Sequence, residues 1–84
     1  MEYKIIWSVP AAGQLKHLDR SIAKRIYEKV DASSENPERY VERLIRYPYY
    51  RLRIGDYRVT LDIEHESLRI LTLKAGHRST VYER

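Results

Sequence analysis

The chain contains no cysteine, so neither a disulfide staple nor a thiolate metal site is open to it. That excludes the cross-linked design of small secreted scaffolds and fits a reducing cytoplasm. The opening Met1-Glu2-Tyr3-Lys4-Ile5-Ile6-Trp7 has no long apolar run after its lysine, so neither a signal peptide nor a membrane span is expected. There is no internal repeat, low-complexity tract or linker, and 84 residues are expected to form one domain, 1–84, with a modest core. No glycine-rich phosphate loop and no nucleophile elbow occurs. His17, His65 and His77 lack metal-ligand spacing and have no carboxylate pair beside them, so no metal or other cofactor is expected.

What the chain does have is arginine, unevenly placed. Residues 1–42 hold 7 basic and 7 acidic residues, whereas residues 43–84 hold 9 basic and 5 acidic, which accounts for the whole net charge of +4. Of those nine only Lys74 is a lysine. A guanidinium offers a planar fork of donors suited to phosphate and stacks on rings. The C-terminal half therefore points to an anionic partner, either nucleic acid or an acidic protein surface. The alternative at this level is a solvated, soluble face.

Periodicity gives the layout. Residues 2–7 alternate and are rich in Tyr, Ile and Trp, which predicts a strand, with Trp7 in the core. Ser8 as a cap and Pro10 in the first turn predict a short helix to about residue 17 or 18. Asp19 is placed to cap a longer helix to about residue 34, with Ile22, Ile26 and Val30 on one stripe. Residues 33–37 end that helix, and 38–48 read as a variable connection. Strands follow at 49–54 and 57–64, joined by a Gly55-Asp56 hairpin turn, and a third at 68–74, broken by Ala75-Gly76. The tail from His77 to Tyr82 reads as irregular or as a strand stub. The expected fold class is α+β, in the order β-α-α-β-β-β, with a helical hairpin packed on one face of a mostly antiparallel sheet.

Strand alternation then assigns faces. Tyr50, Leu52 and Ile54 turn toward the helices, and Tyr49, Arg51 and Arg53 turn away. In the next strand Arg58, Thr60 and Asp62 share the far face. A two-residue turn brings Arg51, Arg53 and Arg58 together, and neighbouring like charges need an offset from bound phosphate or from a carboxylate such as Asp62. His77, Arg78 and Tyr82 cluster just after the last strand, and a histidine there is suited to proton transfer near neutral pH. His17 and His65 read as structural. Tyr47, Tyr49 and Tyr50 surround Pro48 ahead of the basic strand, where tyrosines either stack on bases or pack in the core.

The run Tyr50-Arg51-Leu52-Arg53-Ile54-Gly55-Asp56-Tyr57-Arg58-Val59 resembles the central hairpin of the RelE/ParE toxins. The tail Ala75-Gly76-His77-Arg78-Ser79-Thr80-Val81-Tyr82 resembles that family's closing signature. With the opening strand and the Asn-Pro end of the second helix, the resemblance spans essentially the whole chain. It implies a compact RNase-like fold, a cognate antitoxin that wraps it into a hetero-oligomer, and, for RelE-type members, entry into the ribosomal A site and cleavage of mRNA without a metal. Carried over by position, Arg51 and Arg53 stand where the best-known members have lysines, Arg58 and Arg78 match phosphate-stabilising arginines, and Tyr82 matches the terminal tyrosine. Lys74 joins Arg51, Arg53, Arg58 and Arg78 as an expected RNA contact. Arginine is not deprotonated, so the resemblance leaves proton transfer to His77, to Tyr82 or to the ribosome. Two other functions stay open: inhibition of DNA gyrase, as in the ParE branch, and RNA binding without catalysis.

Overall fold

The computed structural model describes residues 2–79. Strand β1 (Lys4–Trp7) is followed by helices α1 (Val9–Lys16) and α2 (Arg20–Ala32), a single 3-10 turn at Pro37–Arg39, and strands β2 (Val41–Arg43), β3 (Tyr50–Ile54), β4 (Tyr57–Glu64) and β5 (Arg69–His77). The five strands form one sheet in the order β1-β5-β4-β3-β2, with β1 parallel to β5 and every other neighbour antiparallel. The expected β-α-α-β-β-β order is therefore present, with β2 added inside the segment read as a variable connection.

The helices start where the sequence places them. The Ser8 hydroxyl accepts from the Ala11 N–H at 3.1 Å, satisfying one of the donors that a helix start leaves unpaired. Asp19 holds the N-cap position of α2 without a side-chain cap bond. The α2 stripe delivers Ile26 and Val30 into a core with Leu52, Ile54, Val59, Leu61, Ile63, Ile70 and Ala75. Ile22, Leu15 and Leu18 pack at its margin, so both helices cover the same side of the sheet. Trp7 also sits at the margin rather than fully inside, stacked on Tyr27 with ring centroids 6.2 Å apart and planes 18° apart.

The β3–β4 turn matches its reading. Gly55 has φ 58°, a left-handed backbone that glycine reaches at no steric cost, and it links two strands in register from Ile54↔Tyr57 back to Tyr50↔Leu61. The β4–β5 turn holds Leu68 at φ 55°. There Glu64 accepts from the Ser67 hydroxyl at 3.0 Å and from Arg69 Nε at 2.8 Å, and these donors hold its carboxyl below the usual carboxylate range. His65, at the same turn, lies edge-on to Tyr3 and Tyr50 and 3.3 Å from a Glu38 oxygen.

The last strand departs from expectation. Ala75-Gly76 does not break it, and β5 continues to His77. The reason is a bulge: Leu61 pairs with Thr72 and Thr60 with Lys74, so Leu73 is an extra residue in the ladder. Side chains next to it support the irregular backbone. Ser8 Oγ donates to the Leu73 carbonyl at 3.3 Å, and the Ala75 N–H donates to Gln14 Oε1 at 2.7 Å. Beyond the bulge, alternation resumes in the opposite phase, with Ala75 buried against Val59 and Lys74 on the far face beside Thr60.

Candidate functional site

On the sheet face turned away from the helices, register defines two adjacent rows. One runs Glu42, Arg51, Thr60, Lys74 across β2, β3, β4 and β5, and the next runs Arg53, Arg58, Gly76. The three strand arginines anticipated from alternation thus share one face, and the bulge adds Lys74 to it. Arg53 and Arg58 are direct cross-strand partners, an arrangement that normally destabilises a sheet by like-charge repulsion.

A carboxylate answers part of that charge, and it is not Asp62. Glu42 Oε1 lies 3.1 Å from Arg51 Nη2, 3.2 Å from Arg51 Nε and 3.3 Å from Arg53 Nε. One oxygen therefore accepts hydrogen bonds from Arg51 and forms an ion pair with Arg53. The Glu42 side chain is 55% exposed and that of Arg53 57%, so water screens the pair and its net worth is no more than about 1 kcal/mol. A contact so weak is readily exchanged for a phosphate. Glu42 was missed in the sequence because three residues of β2 are too few to show a period. The usable signal was a short acidic-basic segment one loop before an arginine strand.

The C-terminal candidates separate from one another. His77 pairs with Tyr57, and their rings meet edge to face at 5.4 Å, which places this histidine with the helix-facing phase of the strands. Gly76, not His77, stands opposite Arg58. His77 Nδ1 lies 2.9 Å from Ser79 Oγ and accepts from the Ser79 N–H at 3.2 Å. The Arg78 N–H donates to the Asp56 carbonyl at 2.8 Å, tying the start of the tail to the β3–β4 turn and holding exposed Arg78 next to the arginine hairpin. Tyr82 lies outside the described residues. Of the three tyrosines around Pro48, Tyr50 packs against the core, whereas Tyr47 is 41% exposed.

The site therefore combines guanidinium groups for an anion with a carboxylate able to take a proton. Among the described residues no group of three His, Asp or Glu side chains is arranged to hold a metal ion, and no helix is long and apolar enough to cross a membrane.

The chain thus carries a five-stranded sheet with one parallel edge, a helical hairpin on one side and arginines on the other, and comparison with known proteins gives the class to which this arrangement belongs. Residues 5–82 match the family model described as "ParE toxin of type II toxin-antitoxin system, parDE", and the chain belongs to that family. Among solved structures, it is similar to the toxin–antitoxin complex RelBE2 of Mycobacterium tuberculosis, with 25% identity, TM-score 0.86, and coverage of 93% of this chain and 100% of that one. It is also similar to the archaeal RelE–RelB complex of Pyrococcus horikoshii, with 26% identity, TM-score 0.79, and coverage of 96% and 100%. A free RelE toxin mutant of Escherichia coli, at 17% identity, TM-score 0.76 and coverage of 92% and 84%, shares the fold. No curated protein matches the sequence.

Proposed function

We propose that this toxin is a metal-independent endoribonuclease that enters the ribosomal A site, cuts mRNA there and so inhibits translation. The observation that carries the reading is the single Glu42 oxygen within hydrogen-bond distance of both Arg51 and Arg53, on the face that also carries Arg58. Cleavage requires a base for the ribose 2′-OH, cations for the pentavalent phosphate and an acid for the leaving oxygen. Glu42 takes the 2′-OH proton, the 2′ oxygen bonds to phosphorus, and the bond from phosphorus to the 5′ oxygen breaks. A 2′,3′-cyclic phosphate and a 5′-OH result once a proton reaches the leaving oxygen, from Tyr82 or from the ribosome; His77, on the helix-facing phase of the sheet, is not placed to supply it. Arg51, Arg53, Arg58 and Arg78 stabilise the charge that develops on the phosphate oxygens, the largest single aid such a site offers. Lys74 extends the contact along the RNA backbone, and the ribosome positions the substrate. The related toxins are solved with RelB antitoxins, which supports a cognate antitoxin here, in a cytoplasmic hetero-oligomer.

The match to the ParE family favours a second reading, inhibition of DNA gyrase without nuclease chemistry. A purified translation reaction with 5′ ends mapped by primer extension separates the two. Ribosome-dependent cuts by the wild type that vanish in Glu42→Gln and Arg78→Ala are expected. An uncut message together with blocked gyrase supercoiling would replace the nuclease reading with the second one.

A further inference from the structure

Beside the arginine face lies a cleft of about 460 Å³, lined by Glu42, Arg46, Tyr47 and Arg51, with Ile45 at its lip. That volume is within the range of roughly 300–1,000 Å³ that small-ligand sites occupy. Its wall is the connection between β2 and β3, which is held in shape at both ends. The Leu44 side chain is buried, and its N–H donates to the Tyr49 carbonyl at 3.0 Å, closing the loop.

The outer part of this loop is unusual for a connection. Ile45 is fully exposed and Tyr47 is 41% exposed. Arg46 makes no ion pair among the described residues, and no ring or cation contact among them engages Tyr47. Arg51 and Arg53, by contrast, share the Glu42 carboxylate. A planar ring, an apolar side chain and a guanidinium with no ion pair among the described residues, gathered around one cleft, match the two parts of a nucleotide that need contacts: the base for stacking and the phosphate for charge. The cleft is also continuous with the arginine face, because Glu42 and Arg51 belong to both.

We infer that this cleft is a nucleotide subsite: the base next to the scissile phosphate stacks on Tyr47 against Ile45, and Arg46 holds that nucleotide's phosphate. The inference rests on the nuclease reading and adds to it a specificity element outside the strand arginines. Selection there follows stacking, so purine and pyrimidine are distinguished by ring size rather than by hydrogen-bond pattern.

The test uses a fluorescein-labelled RNA hexamer, 2′-O-methylated throughout so that the attacking hydroxyl is blocked, and a series with one abasic position at a time. Anisotropy titrations with the full chain at low salt give the affinities. Tyr47→Ala is expected to weaken binding about 5- to 100-fold, while Tyr47→Phe, which keeps the ring, restores it. One abasic position should cost the wild type a similar factor and cost Tyr47→Ala nothing further, a non-additivity that general destabilisation does not produce. Arg46→Gln should flatten the dependence of log affinity on log salt by about 0.7. Equal losses on intact and abasic RNA, or a Tyr47→Ala variant that binds RNA like the wild type and loses only the antitoxin, overturn the subsite. If replacing Arg51 and Arg53 together by glutamine also leaves RNA binding intact, the nuclease reading fails with it. Dependence on those arginines without dependence on Tyr47 removes the subsite alone.

Discussion

Glu42 and the arginines around it carry most of the consequences at the scale of single residues. A guanidinium cannot act as a base at any useful pH, whereas a carboxylate can, and Glu42 stands within 3.3 Å of both Arg51 and Arg53 on the face proposed to bind phosphate. Glu42→Gln should therefore lower single-turnover cleavage on the ribosome by about 10²- to 10⁴-fold, without weakening binding to a 2′-O-methyl RNA. Because the Glu42 pairs are half-exposed, the same variant should shift urea unfolding by less than about 1 kcal/mol. A large loss of stability would mean that Glu42 is a structural clamp. Arg51, Arg53 and Arg58 were legible in the sequence because alternation over five and eight residues fixes their face. Glu42 was not, since β2 has three residues and no hydrophobic period. The position of His77 was not legible either, because its face depends on a change of phase that local pattern does not record.

Among the elements, those with long periods and standard caps were readable. The α2 stripe, the Ser8 cap and the Gly55 turn all came from local chemistry. Ser8→Ala should cost about 1 kcal/mol, within the usual 0.5–2 for a lost cap, measured by chemical unfolding, and more if the bond to the Leu73 carbonyl matters. Gly55→Ala places a side chain at φ 58°, where its Cβ would lie 3.4 Å from Arg25 Nη2. It should destabilise by about 1–2 kcal/mol and broaden the hairpin's amide signals without abolishing the fold. The elements that escaped the sequence are set by distant partners. β2 exists because Val41↔Leu52 and Arg43↔Tyr50 give it a ladder on β3, and the extension of β5 past Ala75-Gly76 exists because Gln14 and Ser8 satisfy its backbone from α1.

For the whole molecule, the separation of a neutral N-terminal half from a basic C-terminal half becomes a division between two sides. The helices bury one face of the sheet and the arginines occupy the other. RNA affinity should therefore depend steeply on salt, and each arginine neutralised on that face should reduce the slope of log affinity against log salt by about 0.7 for a single strand. A domain of 84 residues has little stability in reserve. Saturating antitoxin at about 100 times its Kd should add about 2.7 kcal/mol, read as a rise in Tm that grows with antitoxin concentration.

The extra residue in β5 works as a reading frame for the sheet. Upstream of Leu73, even-numbered residues such as Ile70 and Thr72 point inward; downstream, Ala75 does. If the bulge were lost with Leu73 drawn into regular pairing, strand length and composition would be untouched, yet every residue after it would change sides. Lys74 would then be forced toward the apolar interior and Ala75 out beside the arginines, whereas deleting Leu73 leaves Thr72 opposite Leu61 and Lys74 opposite Thr60, so the deletion should keep every later side chain on its present face.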